Sequence, residues 1–239
     1  MADTLVFVPA WNEEANIGEV LARLREHLPD VDLLVVDDGS TDHTVAVARE
    51  HGADVHSLGG NRGLRVGIAA GYRWALEHRY AYCGRVDADG QHPVEELERL
   101  LALVRAGECD VAIGSRFVSG DGYAPYRYRP TGPRRLGTAL LRRAVGVVLR
   151  RPFADPTSGL WAVNEKALPL VAEEFASGAP EVEALIRVTD AGLRLEEVPV
   201  DMADRAGGES RLRGKKAVKL ILTVAGVLLG AALVRSRRR

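Results

Sequence analysis

Short apolar runs alternate along the first half of the chain with stretches whose apolar residues recur every three or four positions. Thr4–Val8 is an apolar run of strand length that stops at Pro9. Ile17, Val20, Leu21, Leu24 and Leu28 follow at helical spacing and predict an amphipathic helix over Glu14–Leu28. The same reading gives strands at Asp32–Val36, Ala53–His56, Tyr82–Val86 and Asp110–Gly114. Helices fall between them at Thr44–His51, Val66–His78 and from Pro93 to Ala106. Thr41 or Asp42 is placed to cap the second helix, and Pro93 opens the fourth where its missing N–H costs nothing. This order predicts an α/β fold, a parallel sheet covered by helices on both faces. The second half is less regular. Arg134–Arg151 reads as a helix with arginines near one face, Ala154–Asn164 and Leu193–Val200 as strands, and Val182–Asp190 as a helix between them.

In such sheets ligands bind beyond the carboxyl ends of the strands, and the polar clusters of this chain stand at those ends. Asn12-Glu13-Glu14 follows the first strand, Asp37-Asp38-Gly39-Ser40 the second, Asp87-Ala88-Asp89 a later one and Ser115-Arg116 the next. Two carboxylates one residue apart just past an apolar strand are costly to place together without a cation. Mg2+ or Mn2+ meets that need, since both take carboxylate and diphosphate oxygens in one shell, and Gln91 adds a neutral oxygen. A bare acidic pair also serves as a turn or a helix cap, as does Asp37-Asp38. Trp11 offers an aromatic face on which a base can stack, and the adjoining acids equally suit the start of a helix.

Taken in order, Val8-Pro9-Ala10-Trp11-Asn12-Glu13-Glu14, Val36-Asp37-Asp38-Gly39-Ser40-Thr41-Asp42, Asn61-Arg62-Gly63, Asp87-Ala88-Asp89-Gly90-Gln91 and Gly114-Ser115-Arg116-Phe117 resemble the motif series of the family 2 inverting glycosyltransferases. Asp155-Pro156-Thr157-Ser158-Gly159-Leu160-Trp161 and Asp204-Arg205-Ala206-Gly207-Gly208-Glu209-Ser210-Arg211 are similar to the dolichyl- or polyprenyl-phosphate sugar synthases within it. The resemblance implies a GT-A fold with a mostly parallel central sheet, a UDP- or GDP-linked sugar donor, a polyprenyl phosphate acceptor and a divalent cation, Mg2+ or Mn2+. By position it implies nucleotide contacts at Pro9, Trp11, Glu13, Val36, Asp38, Asp87 and Ala88, and metal ligands at Asp87, Asp89 and Gln91. It assigns catalytic roles to Asp89, Arg116 and Arg205, the two arginines holding phosphate groups. Trp11 departs from the usual tyrosine and Arg211 from the usual lysine. The Gln-x-x-Arg-Trp motif of processive polysaccharide synthases is absent.

Composition refines this picture in few places. With 239 residues, 46% hydrophobic and 27% charged, the chain suits one sizeable core and is no disordered polymer. Its net charge of -1 hides an asymmetry: Glu209 is the one acid among many Lys and Arg residues from Arg205 to Arg239. A basic tail of this kind suits anionic lipid or phosphate, and it lacks the interleaved aromatics of nucleic-acid binders. Cys83 and Cys109 lack metal-ligand spacing and read as buried thiols in a reducing compartment. The start of the chain has neither a basic segment nor a small-residue cleavage site, so no signal peptide is expected. Residues 1–211 are expected to form the catalytic domain and 212–239 a basic, apolar, membrane-associating segment. Leu220–Val234 is short of the roughly 20 residues that span a bilayer. It suits a shallow anchor on the cytoplasmic side of the cell membrane, or a helix docked on the core. The 134–151 helix likewise suits a membrane surface or ordinary packing. If the acceptor is a hydroxyl, a base is needed, and Glu181 and Glu183 are the candidates; an anionic lipid phosphate needs none.

Overall fold

The computed structural model describes residues 2–91, 93–120 and 142–201, together with 223, 226 and 227. The first half follows the hydrophobic pattern closely. β1 is Thr4–Ala10, α1 Ile17–His27, β2 Asp32–Asp37, α2 Thr44–Glu50, β3 Asp54–Ser57 and α3 Leu64–Glu77; then come β4 Tyr82–Arg85, α4 Val94–Arg105 and β5 Val111–Ser115. Residues 142–149 are helical and are designated α5. β6 is Trp161–Asn164, α6 Leu168–Val171, α7 Pro180–Asp190 and β7 Leu195–Pro199.

The sheet has seven strands in the order β3-β2-β1-β4-β6-β5-β7. Every pairing is parallel except those of β6, which runs antiparallel to both β4 and β5. The sheet is thus mostly parallel, as the resemblance implied, with β6 its one reversed strand. A strand buried on both faces is a continuous apolar run whichever way it points, so its pattern carries no direction. The expected strand over Ala154–Asn164 shrinks to Trp161–Asn164. Residues 154–160 form a turn instead, because their backbone bonds go to carboxylates. Glu197 accepts the N–H groups of Ala154 and Asp155, and Asp155 accepts that of Arg116.

Two apolar layers sandwich the sheet. Leu5, Phe7, Leu34, Val36, Cys83 and Trp161 face α3, α6 and α7. Val6, Val8, Leu33, Val35 and Ala162 face α1 and α4. Each fully buried Leu, Val or Phe contributes about 1.5–3 kcal/mol relative to exposure, so these two layers dominate the stability. Both cysteines are free and buried, as expected of small apolar residues.

Because β6 is reversed, its amino end lies at the same edge as the carboxyl ends of its neighbours. Trp161, its first residue, pairs with Arg85 of β4 and Ile113 of β5. The 153–160 turn is thereby delivered to the edge where β1, β2 and β4 shed their polar clusters. Among the described residues no helix is long and apolar enough to cross a membrane. Most of the 212–239 segment lies outside the described residues, but Thr223, Gly226 and Val227 are helical. Val227 packs against the larger core cluster, and a Cβ placed on Gly178 would lie 3.9 Å from the Thr223 methyl. Thr223 and Val227 thus lie against the protein body.

Candidate active site

Three loops at the carboxyl ends of β1, β2 and β3 close into one rim. Asn12, in the left-handed region at φ 54°, donates its N–H to Ser40 Oγ at 3.0 Å, and its side-chain oxygen accepts the N–H of Thr41 at 2.8 Å. The Glu13 N–H reaches Thr44 Oγ1 at 2.8 Å, and Glu14 accepts the N–H of His43 at 2.9 Å. Asp42 accepts the Thr44 N–H at 3.0 Å, so of the two expected capping residues it is Asp42 that serves α2.

Asp37 and Asp38 divide the work of the second loop. Asp37 accepts the N–H of Ser40 at 2.9 Å and the hydroxyl of Ser57 at 2.9 Å, fastening β2 to β3. Asp38, only 6% exposed, accepts the N–H groups of Arg62 at 2.6 Å and Gly63 at 2.8 Å. The carboxylate marked for nucleotide contact thus also fixes the third loop. Gly39 lies directly on that loop: a Cβ there would stand 2.5 Å from the carbonyl carbon of Gly60. Of the other residues marked for the nucleotide, Pro9, Val36 and Ala88 are buried in the sheet layers beneath the rim, while Trp11 is 39% exposed on it.

Next along the edge stand the carboxylates of Asp87 and Asp89. Asp89 accepts the N–H of Gln91 at 3.2 Å, which closes the turn through Gly90, whose φ is 70°. Asp87 lies between two rigid neighbours. On one side Arg85 Nη2 donates to Oδ1 at 3.1 Å. On the other is the backbone of Gly159, where a Cβ would fall 2.7 Å from Asp87 Cγ and 2.8 Å from Oδ1. Only glycine leaves room for this carboxylate.

Arg85 was not among the residues singled out from sequence. It shares with Cys83 the sheet face covered by α3 and α7, and it is 2% exposed. The same Nη2 also donates to Glu181 of α7 at 3.0 Å. Burial works against its charge, but Asp87 and Glu181 outweigh that and hold it firmly cationic. Burial also pushes the Glu181 carboxyl above the usual carboxylate range, with Arg85 pulling the other way. An arginine inside an otherwise apolar strand was the available signal, since a buried guanidinium needs a buried carboxylate.

The two candidate bases separate here. Glu183 turns away from the edge to the loop before its helix, accepting the N–H groups of Ala176 at 3.0 Å and Ser177 at 2.5 Å. Glu181 lines, with Gly63, Leu64, Arg65, Gly178 and Pro180, an open cavity of about 250 Å³ between the starts of α3 and α7. Of the pair, only Glu181 stands beside Asp87.

Arg116, marked for phosphate, is held by Asp155 through two bonds of 2.7 Å, from Nε and Nη2. Asp155 is 1% exposed, so the fork fixes the turn that carries Gly159. Beneath it, Glu197 accepts the Ser115 hydroxyl at 2.8 Å, and burial pushes the Glu197 carboxyl up. Arg142 of α5 stands 3.9 Å over the ring of Phe117. The other marked arginine, Arg205, lies outside the described residues. Among those described, no group of three or more His, Cys, Asp or Glu side chains converges to hold a metal.

The sequence profile of Glycosyl transferase family 2 matches residues 5–168, from β1 to the start of α6. The chain belongs to glycosyl transferase family 2. This glycosyltransferase is 33% identical over 243 residues to the polyprenol monophosphomannose synthase of Mycolicibacterium smegmatis, with 98% of this chain and 90% of that one covered. It is 35% identical over 220 residues to the undecaprenyl-phosphate mannosyltransferase of Micrococcus luteus, covering 88% and 87%. Among solved structures, glucosyl-3-phosphoglycerate synthase from Mycobacterium tuberculosis, in complex with Mn2+, UDP and phosphoglyceric acid, superposes with a TM-score of 0.70 at 23% identity. The match covers 95% of this chain and 78% of that one. At that identity the likeness establishes the fold, which is the GT-A arrangement expected.

Proposed function

We propose that this glycosyltransferase moves a sugar from a UDP- or GDP-linked donor to a polyprenyl phosphate, with inversion, at the cytoplasmic face of the membrane. The carrying observation is the placement of Asp87 and Asp89 at the end of β4, beside a rim built to receive a nucleotide. Their carboxylates are hard oxygen donors, and the seat that Gly159 leaves for Asp87 suits a ligand held in fixed orientation. Asp87, Asp89 and Gln91 would hold a Mg2+ or Mn2+ ion there, which would supply positive charge for a departing nucleoside diphosphate.

The rest of the chemistry belongs to the protein. Trp11 presents an aromatic face for the base, Asp38 holds the 58–63 loop beneath it, and Glu13 completes the rim. Arg116 fixes the turn behind the sugar, and Arg205 supplies charge for a phosphate group. A lipid phosphate is already anionic at neutral pH, so orientation and charge stabilisation suffice without a general base. Glu181 accepts a bond from Arg85 through one oxygen, a structural tie of its own. The names of the mannose synthase relatives support the acceptor class. On α5, Val147 is 71% exposed between the exposed Arg143 and Arg150, which supports contact with an anionic lipid surface.

The test is transfer itself. Protein incubated with Mn2+, labelled UDP- or GDP-sugar and polyprenyl phosphate in detergent should yield label extractable into organic solvent, and a chelator should abolish it. Label confined to water-soluble saccharide overturns the acceptor assignment. Undiminished transfer under chelator overturns the metal.

A further inference from the structure

Arg85 is unusual for the centre of a sheet. Its neighbours β1 and β6 are apolar, it is 2% exposed, and its Nη2 serves two carboxylates while its Nε finds no partner among the described residues. Tyr72, packed edge-on against Phe7 with ring centroids 4.8 Å apart, brings a second buried polar atom without a partner, its hydroxyl. No apolar core gains from such a residue: replacing a buried ion pair by apolar side chains is often neutral or stabilising. The charge is therefore best explained by what it does to Asp87.

Asp87 is fixed between Gly159 and Arg85, so it cannot swing away from the guanidinium without leaving its seat. Any cation approaching Asp87 meets a positive charge already bound to Oδ1. Two like charges on one carboxylate repel strongly at low effective dielectric. Resting on the metal-dependent reading above, we propose that Arg85 is the resident counter-ion of Asp87, keeping the metal site weak until a nucleoside diphosphate adds negative charge of its own. Glu181 shares the guanidinium and so sets how much of its charge falls on Asp87. The device makes metal and donor arrive together, and it leaves the empty site without two unpaired carboxylates.

Two variants isolate this effect without stranding a buried charge. In E181Q, Arg85 keeps Asp87 as its partner. In R85Q/E181Q both partners become neutral amides, and Asp87, with its side chain 31% exposed, keeps access to water. The pair differ only in the charge at position 85. Mn2+ binding, read from the electron paramagnetic resonance of the free ion in the absence of nucleotide, should be at least tenfold tighter in R85Q/E181Q than in E181Q. Thermal melts establish that both are folded. Equal or weaker binding in the double variant, with Mn2+ still bound by the wild type in the presence of UDP or GDP, overturns the counter-ion role alone. Absence of Mn2+ binding in wild type even with saturating UDP or GDP overturns the metal site and the inference with it.

Discussion

Gly159→Ala is the sharpest probe of the site, because it adds one methyl group at the atom where the structure is tightest. A Cβ there would stand 2.7 Å from Asp87 Cγ, against the roughly 3.5–4.0 Å at which carbon atoms rest in contact. Something must therefore give by about 1 Å. The backbone of Gly159 cannot retreat, since Gly114 and Leu160 are hydrogen-bonded beside it at 3.0 Å and the turn is clamped by Arg116 and Glu197. The Asp87 carboxylate moves instead, and its 3.1 Å bond to Arg85 breaks. A catalytic group misplaced by about 1 Å typically costs on the order of 100-fold in rate. Overpacking adds a stability loss of about 1–3 kcal/mol, at the low end here because Asp87 is partly open to solvent. Initial rates of donor turnover at saturating Mn2+, compared with wild type in a folded preparation, give the answer. A G159A enzyme that turns over its donor at the wild-type rate would refute the reasoning that the seat of Asp87 matters.

Other expectations follow from neighbouring contacts. Glu183→Ala removes the acceptor of the Ala176 and Ser177 N–H groups in the loop before α7 and should cost about 1–3 kcal/mol in urea denaturation, with the turnover number of folded enzyme changed by less than threefold. Arg116→Lys keeps the charge but loses the two-pronged bond to Asp155, so melting should fall by a few degrees, and transfer should drop even at temperatures where the protein stays folded. Asp110 is stabilised as a carboxylate. Burial opposes its charge, but the Arg194 N–H at 2.9 Å, the Asn164 amide at 2.9 Å and the Arg194 guanidinium outweigh it, and its pKa falls to about 2. Because the folded pKa lies below that of the unfolded chain, the stabilisation is fully present above about pH 4 and drains away as pH falls toward 2. It amounts to roughly 2 kcal/mol. Urea melts of Asp110→Asn at pH 6 and pH 2.5 should show a clearly larger loss at the higher pH, and an equal loss at both would refute the assignment.

Most of the first half could be read from the chain because its elements obey one period each. Apart from β3 and the arginine of β4, the strands from Thr4 to Gly114 are continuous apolar runs, and the helices between them bury one stripe. Helix α1 begins three residues later than the pattern suggested. Residues 13–16 make a turn instead, their N–H groups going to Thr44, Asp42 and Glu13 of the rim. The reversed β6 and the turn before it escaped the reading for a different reason. Asp155-Pro156-Thr157-Ser158-Gly159 does carry local turn signals, which the apolar residues around it masked, while its carboxylate partner Glu197 lies some forty residues on. The acids of the site were visible because polar residues at strand ends stand out. Their supporting partners were not: Gly159 and Arg85 have meaning only through contacts between elements far apart in sequence. Position alone also left Glu181 and Glu183 equivalent, and the fold distinguishes them by one helical turn's orientation.

The lacing of the three nucleotide-side loops has a bearing on engineering. Asn12 bonds to residues 40 and 41, Glu13 to 44, Asp38 to 62 and 63, and Gly39 leaves no space between its own loop and residue 60. A swap of any one segment from another member of the family would arrive with its stitches cut. Recombination intended to change which donor is accepted should therefore transplant 9–14, 37–44 and 57–63 as a single cassette, and chimeras that split it are expected to lose solubility before they gain a new preference.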